Sequence, residues 1–412
     1  MRVSDNDSTR RQFLRGVGSG AMGLTLSGTF HARSYGGERL QDLLVYVGTY
    51  TTGKSAGIYL YRMNVSSGEL THVTTTRGVV NPSFLTLDPT RHYLYAVNEV
   101  TEFAGKPGGA VSAFAINRRT GALHFLNQQS SLGGAPCYVT VDRTGRFLLV
   151  ANYTGGNVSV ISIKPDGALG GATDVDQHHG SGVNPDRQEG PHAHSIVMDQ
   201  TNRYAYSCDL GTDKIMIYRF DSKKGKLTAN QQPWVQVKPG AGPRHFTFHP
   251  SGRYGYVMNE LDATVTAFIC DSSKGTLKEM QTVHTLPEGF SEMNATADIH
   301  VSPHGKFLYG SNRGHNSIVV FEIDEKTGKL RFIQHAATEG RTPRNFAIDP
   351  TGTFLLAANQ DSDTIVTFRI DQVTGRLKPT GYVTGVPSPV CLKLTQPLLG
   401  SVLKVSCRLP AS

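Results

Sequence analysis

What most restricts the fold of this chain is a unit that recurs about every fifty residues. Each copy opens on Pro or a substitute, runs through a short strand to Asp-Pro-x-Gly or a variant, and continues into an aromatic-aliphatic strand ending in Asn or Asp. Six copies of that second strand are plain: 91–98, 145–152, 202–209, 252–259, 305–312 and 352–359. The opening slot holds Pro82, Pro136, Ala193, Pro243, Thr296, Pro343 and Pro389, at spacings of 46 to 57 residues. That leaves room for about four strands of five or six residues plus turns. A third strand follows each Asn, as at 157–163 and 317–323, and Gly-x-Leu opens a fourth, as at Gly121–Leu123 and Gly328–Leu330. Four-stranded units repeated radially are propeller blades.

The seventh unit is split between the chain ends. Residues 389–394 supply its first strand and no second one follows, while 44–50, 57–62 and 70–75 read as the second, third and fourth. The expectation is an all-β, seven-bladed β-propeller over residues 43–394, its last blade closed by one C-terminal and three N-terminal strands. Such closure leaves no unpaired edge between the first and last blade. Residues 395–412 fit no blade.

Ahead of the repeat, Thr9-Arg10-Arg11-Gln12-Phe13-Leu14-Arg15 precedes a short, mildly apolar stretch rich in Gly, Ser and Thr. It is too short and too polar to span a bilayer. Residues 1–32 therefore read as a twin-arginine signal peptide, cleaved near Ala32. They imply export by the twin-arginine machinery to the periplasm or medium, and a protein not integral to the membrane.

The chain carries a net charge of +8; Arg2, Arg10, Arg11 and Arg15 against Asp5 and Asp7 supply two of those eight, so the body stays basic. A diffuse positive field suits small anionic molecules, and no Lys/Arg run with interleaved aromatics points to nucleic acid. The five cysteines (Cys137, Cys208, Cys270, Cys391, Cys407) lie far apart without C-x-x-C. The odd count and the spacing argue against a zinc site and against a dense disulfide framework. No metal and no cofactor is expected.

In a blade, the loop entering the first strand and the loop leaving the second meet at the channel mouth. Positions alike in every blade are structural, including the Asn that ends the second strand; a site is sought where the repeat is broken. After the opening slot stand Ser83, Cys137, His194, Arg244, Ala297, Arg344 and Val390, then Phe84, Tyr138, Ser195, His245, Asp298, Asn345 and Cys391. After the second-strand Asn come Glu99, Tyr153, Leu210, Glu260, Arg313 and Gln360. Ionisable members concentrate in consecutive blades: His194, then Arg244, His245 and Glu260, then Asp298, His300 and Arg313, then Arg344. Arginines can hold a carboxylate or phosphate and stabilise an oxyanion, and Glu260 or a histidine can activate water. Alternation along a strand would place His192 and His194 on one face. The segment 170–190, rich in Gly, Asp and His, is compatible with a lid or with a plain surface insertion. G-x-S-x-G, H-E-x-x-H, a P-loop and a dinucleotide fingerprint are absent, which disfavours a serine nucleophile.

Gly-Pro-His-Ala-His-Ser (190–195), Gly-Ala-Gly-Pro-Arg-His-Phe-Thr-Phe-His-Pro (240–250), Val-Met-Asn-Glu-Leu (257–261), Ala-Asp-Ile-His-Val-Ser-Pro (297–303) and Ser-Asn-Arg (311–313) together resemble the lactonase family of seven-bladed propellers. That family includes propeller-type 6-phosphogluconolactonase and a fungal carboxy-muconate cyclase. The resemblance implies hydrolysis of a sugar-acid lactone, with His194, Arg244, Glu260 and Arg313 as catalytic residues. His192, His245, Asp298, His300 and Arg344 are expected to bind substrate. The export signal departs from the namesake, whose substrate is made in the cytoplasm, so a different lactone is expected. A cyclase running in the lactone-forming sense and a non-catalytic binding propeller of the envelope are the alternatives.

Overall fold

The computed structural model describes residues 42–397. The expected signal peptide and residues 398–412 of the tail, with Cys407, lie outside the described residues. Within them the chain forms seven four-stranded antiparallel sheets and one small hairpin. The closing blade pairs Pro389–Thr395 with Leu43–Thr49, followed outward by Gly57–Met63 and Leu70–Arg77. The ring thus closes as the split repeat predicts: one C-terminal strand innermost, three N-terminal strands outside it.

The repeated sequence features are explained by contacts between neighbouring blades. A tyrosine of the second strand donates its hydroxyl to the carbonyl of the Gly-x-Leu glycine one blade on: Tyr46 to Gly121 at 2.7 Å, Tyr95 to Gly167 at 3.0 Å, Tyr256 to Gly328 at 2.9 Å, Tyr309 to Gly375 at 2.9 Å. These tyrosines are fully buried, and a buried phenol needs such an acceptor. Gly328 itself sits at φ +73°, and a Cβ there would overlap the ring of Tyr254. Glycine is required at that position both for the backbone conformation and for the close approach of the preceding blade. The Asn that ends the second strand also serves architecture: Asn152, Asn312 and Asn359 each donate at 3.0 Å to a carbonyl of the loop entering their own blade.

Between blades lie buried apolar layers, one of which joins Leu43, Val45 and Leu392 of the closing blade to Leu356 and Ile365 of its neighbour. A chain ending at Ser388 would expose this layer and leave the inner edge of Leu43–Thr49 unpaired. The expected outcome is aggregation and loss of a cooperative melting transition, followed by calorimetry. Cooperative melting at the wild-type temperature would show that the ring does not depend on this strand.

Candidate active site

The first strand of most blades contains a register break at the residue after the opening slot. Pairing skips from Pro136 to Tyr138, from Ala193 to Ser195, from Pro243 to His245 and from Pro343 to Asn345. The skipped residues are Cys137, His194, Arg244 and Arg344. A bulged residue leaves the ladder and its side chain is re-aimed. Here the bulges bring these side chains together, and Ser83, Glu99, Cys137, His194, Arg244, His245 and Arg344 line one small recess with room for about a single water molecule. The bulge also breaks strict alternation, so His192 and His194 do not share a strand face as expected. His192 lies before the strand, stacked on Tyr153 at 4.5 Å and bonded to Glu189, whereas His194 meets the same ring edge-on at 5.3 Å.

Glu260 is the charge centre. Arg244 Nε donates to its Oε2 at 2.9 Å, Arg313 Nη2 lies 2.8 Å from the same oxygen, and Arg187 Nη2 donates to Oε1 at 2.7 Å. Burial alone would raise this carboxyl; Arg313, Arg244 and Arg187 more than offset it and hold it at about 2. Arg313 also donates to the carbonyls of Ala295 and Thr296, and Arg244 to that of Ala297. Arg344 is placed differently. It lies over the Tyr50 ring at 5.4 Å and, among the described residues, has no hydrogen-bond partner. Glu99 is held by the Tyr50 hydroxyl, 3.0 Å from each oxygen, and by Ser83. Four guanidinium groups therefore stand around Glu260 and Glu99, with Asp298 as a third carboxylate acting on Arg244.

His194 is buried; its Nε2 is 4.0 Å from Glu260, and its imidazole is 5.5 Å from that of His245. Burial first, then Arg244, His245 and Arg344, press its pKa well below the ordinary value, so it is neutral at pH 7. His245 is lowered to about 4, mainly by burial and Arg244. Its Nδ1 donates to Asp298 at 2.8 Å, and its Nε2 accepts from Arg244 at 3.2 Å. Cys137 lies 3.6 Å from His194 Nδ1, but burial and Glu99 push its thiol up, which leaves it a poor nucleophile.

The structure brings His194, Arg244, His245, Glu260, Arg313 and Arg344 into one cluster of side chains. Asp298 and His300 occupy another place. Asp298 bonds His245, His300 at 2.9 Å and Asn345, whose Oδ1 accepts from Leu392 at 2.7 Å. It braces four blades beneath the recess, and half-exposed His300 lies two residues further along the strand. Sequence reasoning passes over Glu99, Tyr50 and Arg187. Glu99 holds the same register position as Glu260 and Arg313, and that position could have found it; Tyr50 and Arg187 come from loops with no register. Segment 170–190, which delivers Arg187, is neither a free lid nor a loose insertion: it is strand as far as Gln177, and its Gln188 is fully buried and bonded to Leu210 and Asp213. Among the described residues there is no cluster of three or more metal-binding side chains, and no helix is long and apolar enough to cross a membrane.

Residues 44–394 match the family described as Lactonase, 7-bladed beta-propeller. A 6-phosphogluconolactonase of Bacillus subtilis is 38% identical over 73% of this chain and 83% of its own length. One of Formosa agariphila is 40% identical over 74% and 86%. A solved structure described as the periplasmic gluconolactonase of Pseudomonas aeruginosa covers 87% of this chain and 100% of its own, with 34% identity and a TM-score of 0.82. The chain belongs to the lactonase family of seven-bladed β-propellers.

Proposed function

We propose that this protein hydrolyses a sugar-acid lactone at the recess, with His194 as the base and Arg344 as the group that receives negative charge. The observation that carries this reading is the neutral imidazole of His194 beside a guanidinium that has no hydrogen-bond partner among the described residues. His194 takes a proton from water as the water oxygen adds to the lactone carbonyl. Charge collects on the carbonyl oxygen, where Arg344 stabilises it. Collapse of the adduct breaks the ring C–O bond, and the ring oxygen takes the proton from His194. The product acid then ionises.

Glu260 is less suited to deliver water, because both its oxygens are engaged by guanidinium groups and its carboxyl is held at about 2. Its role in this scheme is to aim Arg244 and Arg313. The relatives named 6-phosphogluconolactonase and gluconolactonase support the reaction class. We further propose that residues 43–394 are the catalytic domain and that Arg10-Arg11 directs export through the twin-arginine machinery to the periplasm or medium. The periplasmic relative supports that location.

The test is turnover of a panel of lactones by the purified protein and by Arg344→Ala. Acid release above the spontaneous rate is expected, falling by about 10²–10³ in the variant, the cost typical of losing one oxyanion donor. No hydrolysis across the panel, with formation of a lactone from an unsaturated dicarboxylate instead, would replace the reading by the cyclising one. Tight ligand binding without turnover of either kind would leave a binding propeller.

A further inference from the structure

Asp209 is the one Asp among the six residues that end a second strand in this way, and the structure shows what it serves. Its Oδ2 lies 2.6 Å from Nδ1 of buried His178, whose Nε2 is 2.9 Å from the Tyr218 hydroxyl; that hydroxyl is in turn 2.8 Å from Asp176. Its Oδ1 accepts the backbone N–H groups of His192, Gly211 and Thr212. His178 stands at the start of the segment that enters the His194 blade. Further along, Gln188 donates at 2.8 Å to both the Leu210 carbonyl and Asp213, and its Oε1 accepts from Asn184 N at 3.1 Å.

Between these anchors projects Arg187, its side chain 41% exposed. Its Nη2 reaches Glu260 Oε1 at 2.7 Å and the Tyr153 hydroxyl at 3.3 Å, above the ring that also packs His194. Among the described residues Oε1 has no other partner, whereas Oε2 keeps Arg244 and Arg313. Arg187 can leave with Glu260 still paired through Oε2, which frees Oε1 alone. The arginine end of the pair is open to solvent while the carboxylate end is buried, and the fixed backbone means little ordering remains when the arm takes a new partner.

From this geometry, and resting on the lactone reading above, we infer that Arg187 is a specificity-determining residue that exchanges Glu260 for a remote anionic group of the substrate, a phosphate or a second carboxylate. The planar guanidinium fork matches either group bidentately.

The test compares kcat and KM for a phosphorylated aldonolactone, an aldaric monolactone and uncharged gluconolactone, in the wild type, Arg187→Ala and Arg187→Lys. The preference in kcat/KM for a charged over the uncharged lactone should fall about tenfold or more in Arg187→Ala, through KM, with partial recovery in Arg187→Lys. Which charged lactone loses more names the anion. Equal losses on all three substrates would overturn the assignment. Should the wild type turn over none, the lactone reading fails by itself, and calorimetric binding of 6-phosphogluconate, glucarate and gluconate decides about Arg187. A wild-type preference for the charged ligands that disappears in Arg187→Ala upholds it; no such preference, or one that survives the substitution, rejects it.

Discussion

Replacing His194 by Gln is expected to lower kcat by about 10²–10⁴-fold, the range typical of losing a positioned general base. Gln keeps a polar group of similar reach but cannot take a proton from water. The effect should fall on kcat more than KM, since Arg344 and the rest of the recess remain. Its pH dependence gives a second reading. Burial and the neighbouring cations hold the imidazole well below 6.5, so the base stays unprotonated through mildly acid conditions. The acid limb of kcat/KM should therefore lie below pH 6.5 in the wild type and be missing from residual activity of the variant. The same shift affects stability. The unfolded chain binds that proton near pH 6.5 and the folded one resists it, so this residue disfavours the fold as pH drops below that value. Wild-type kcat in His194→Gln would remove the residue from the mechanism.

Glu260→Gln is expected to destabilise the fold by about 3–5 kcal/mol, as breaking a buried ion pair does, because three guanidinium groups lose their shared counter-charge. The carboxyl is depressed from an ordinary 4.5 to about 2. A depressed acid contributes stability that is fully present above about pH 4.5 and lost as pH falls toward 2. The wild-type stability, measured by urea unfolding, should fall through that window more steeply than that of the variant, and the two should converge near its lower end. Turnover should fall as well, since Arg244 and Arg313 lose their aim. A variant as stable as the wild type at pH 7, with the same acid slope, would show that the arginines are neutralised by something else.

Much of the fold was legible because each blade states the same requirements in sequence. The Gly-x-Leu glycines mark close approach to a side chain of the preceding blade, an aromatic ring everywhere but at Gly121, and the Asn residues mark turns that need a side-chain donor. The split seventh unit gave the closure, since strands missing at one end of the chain were present at the other. The same register allowed His194, Arg244, Glu260, Arg313 and Arg344 to be placed at one mouth. It did not separate their roles. Asp298 and His300 share the register and brace the channel beneath the recess. Arg187 has no register and yet reaches Glu260 from a segment fastened by His178 and Gln188.

The sequence by itself determined the number of blades, how the ring closes, and which ring of positions meets at its axis, because those follow from local periodicity and chain order. Which side chains leave the ladder at bulges, that Glu260 is locked among three guanidinium groups while Arg344 has no hydrogen-bond partner among the described residues, and that His194 is neutral were settled only by the tertiary structure. Those are properties of distance and burial between residues far apart in the chain. A carboxylate or an imidazole acquires them only when neighbouring blades exclude water and set its counter-charges around it.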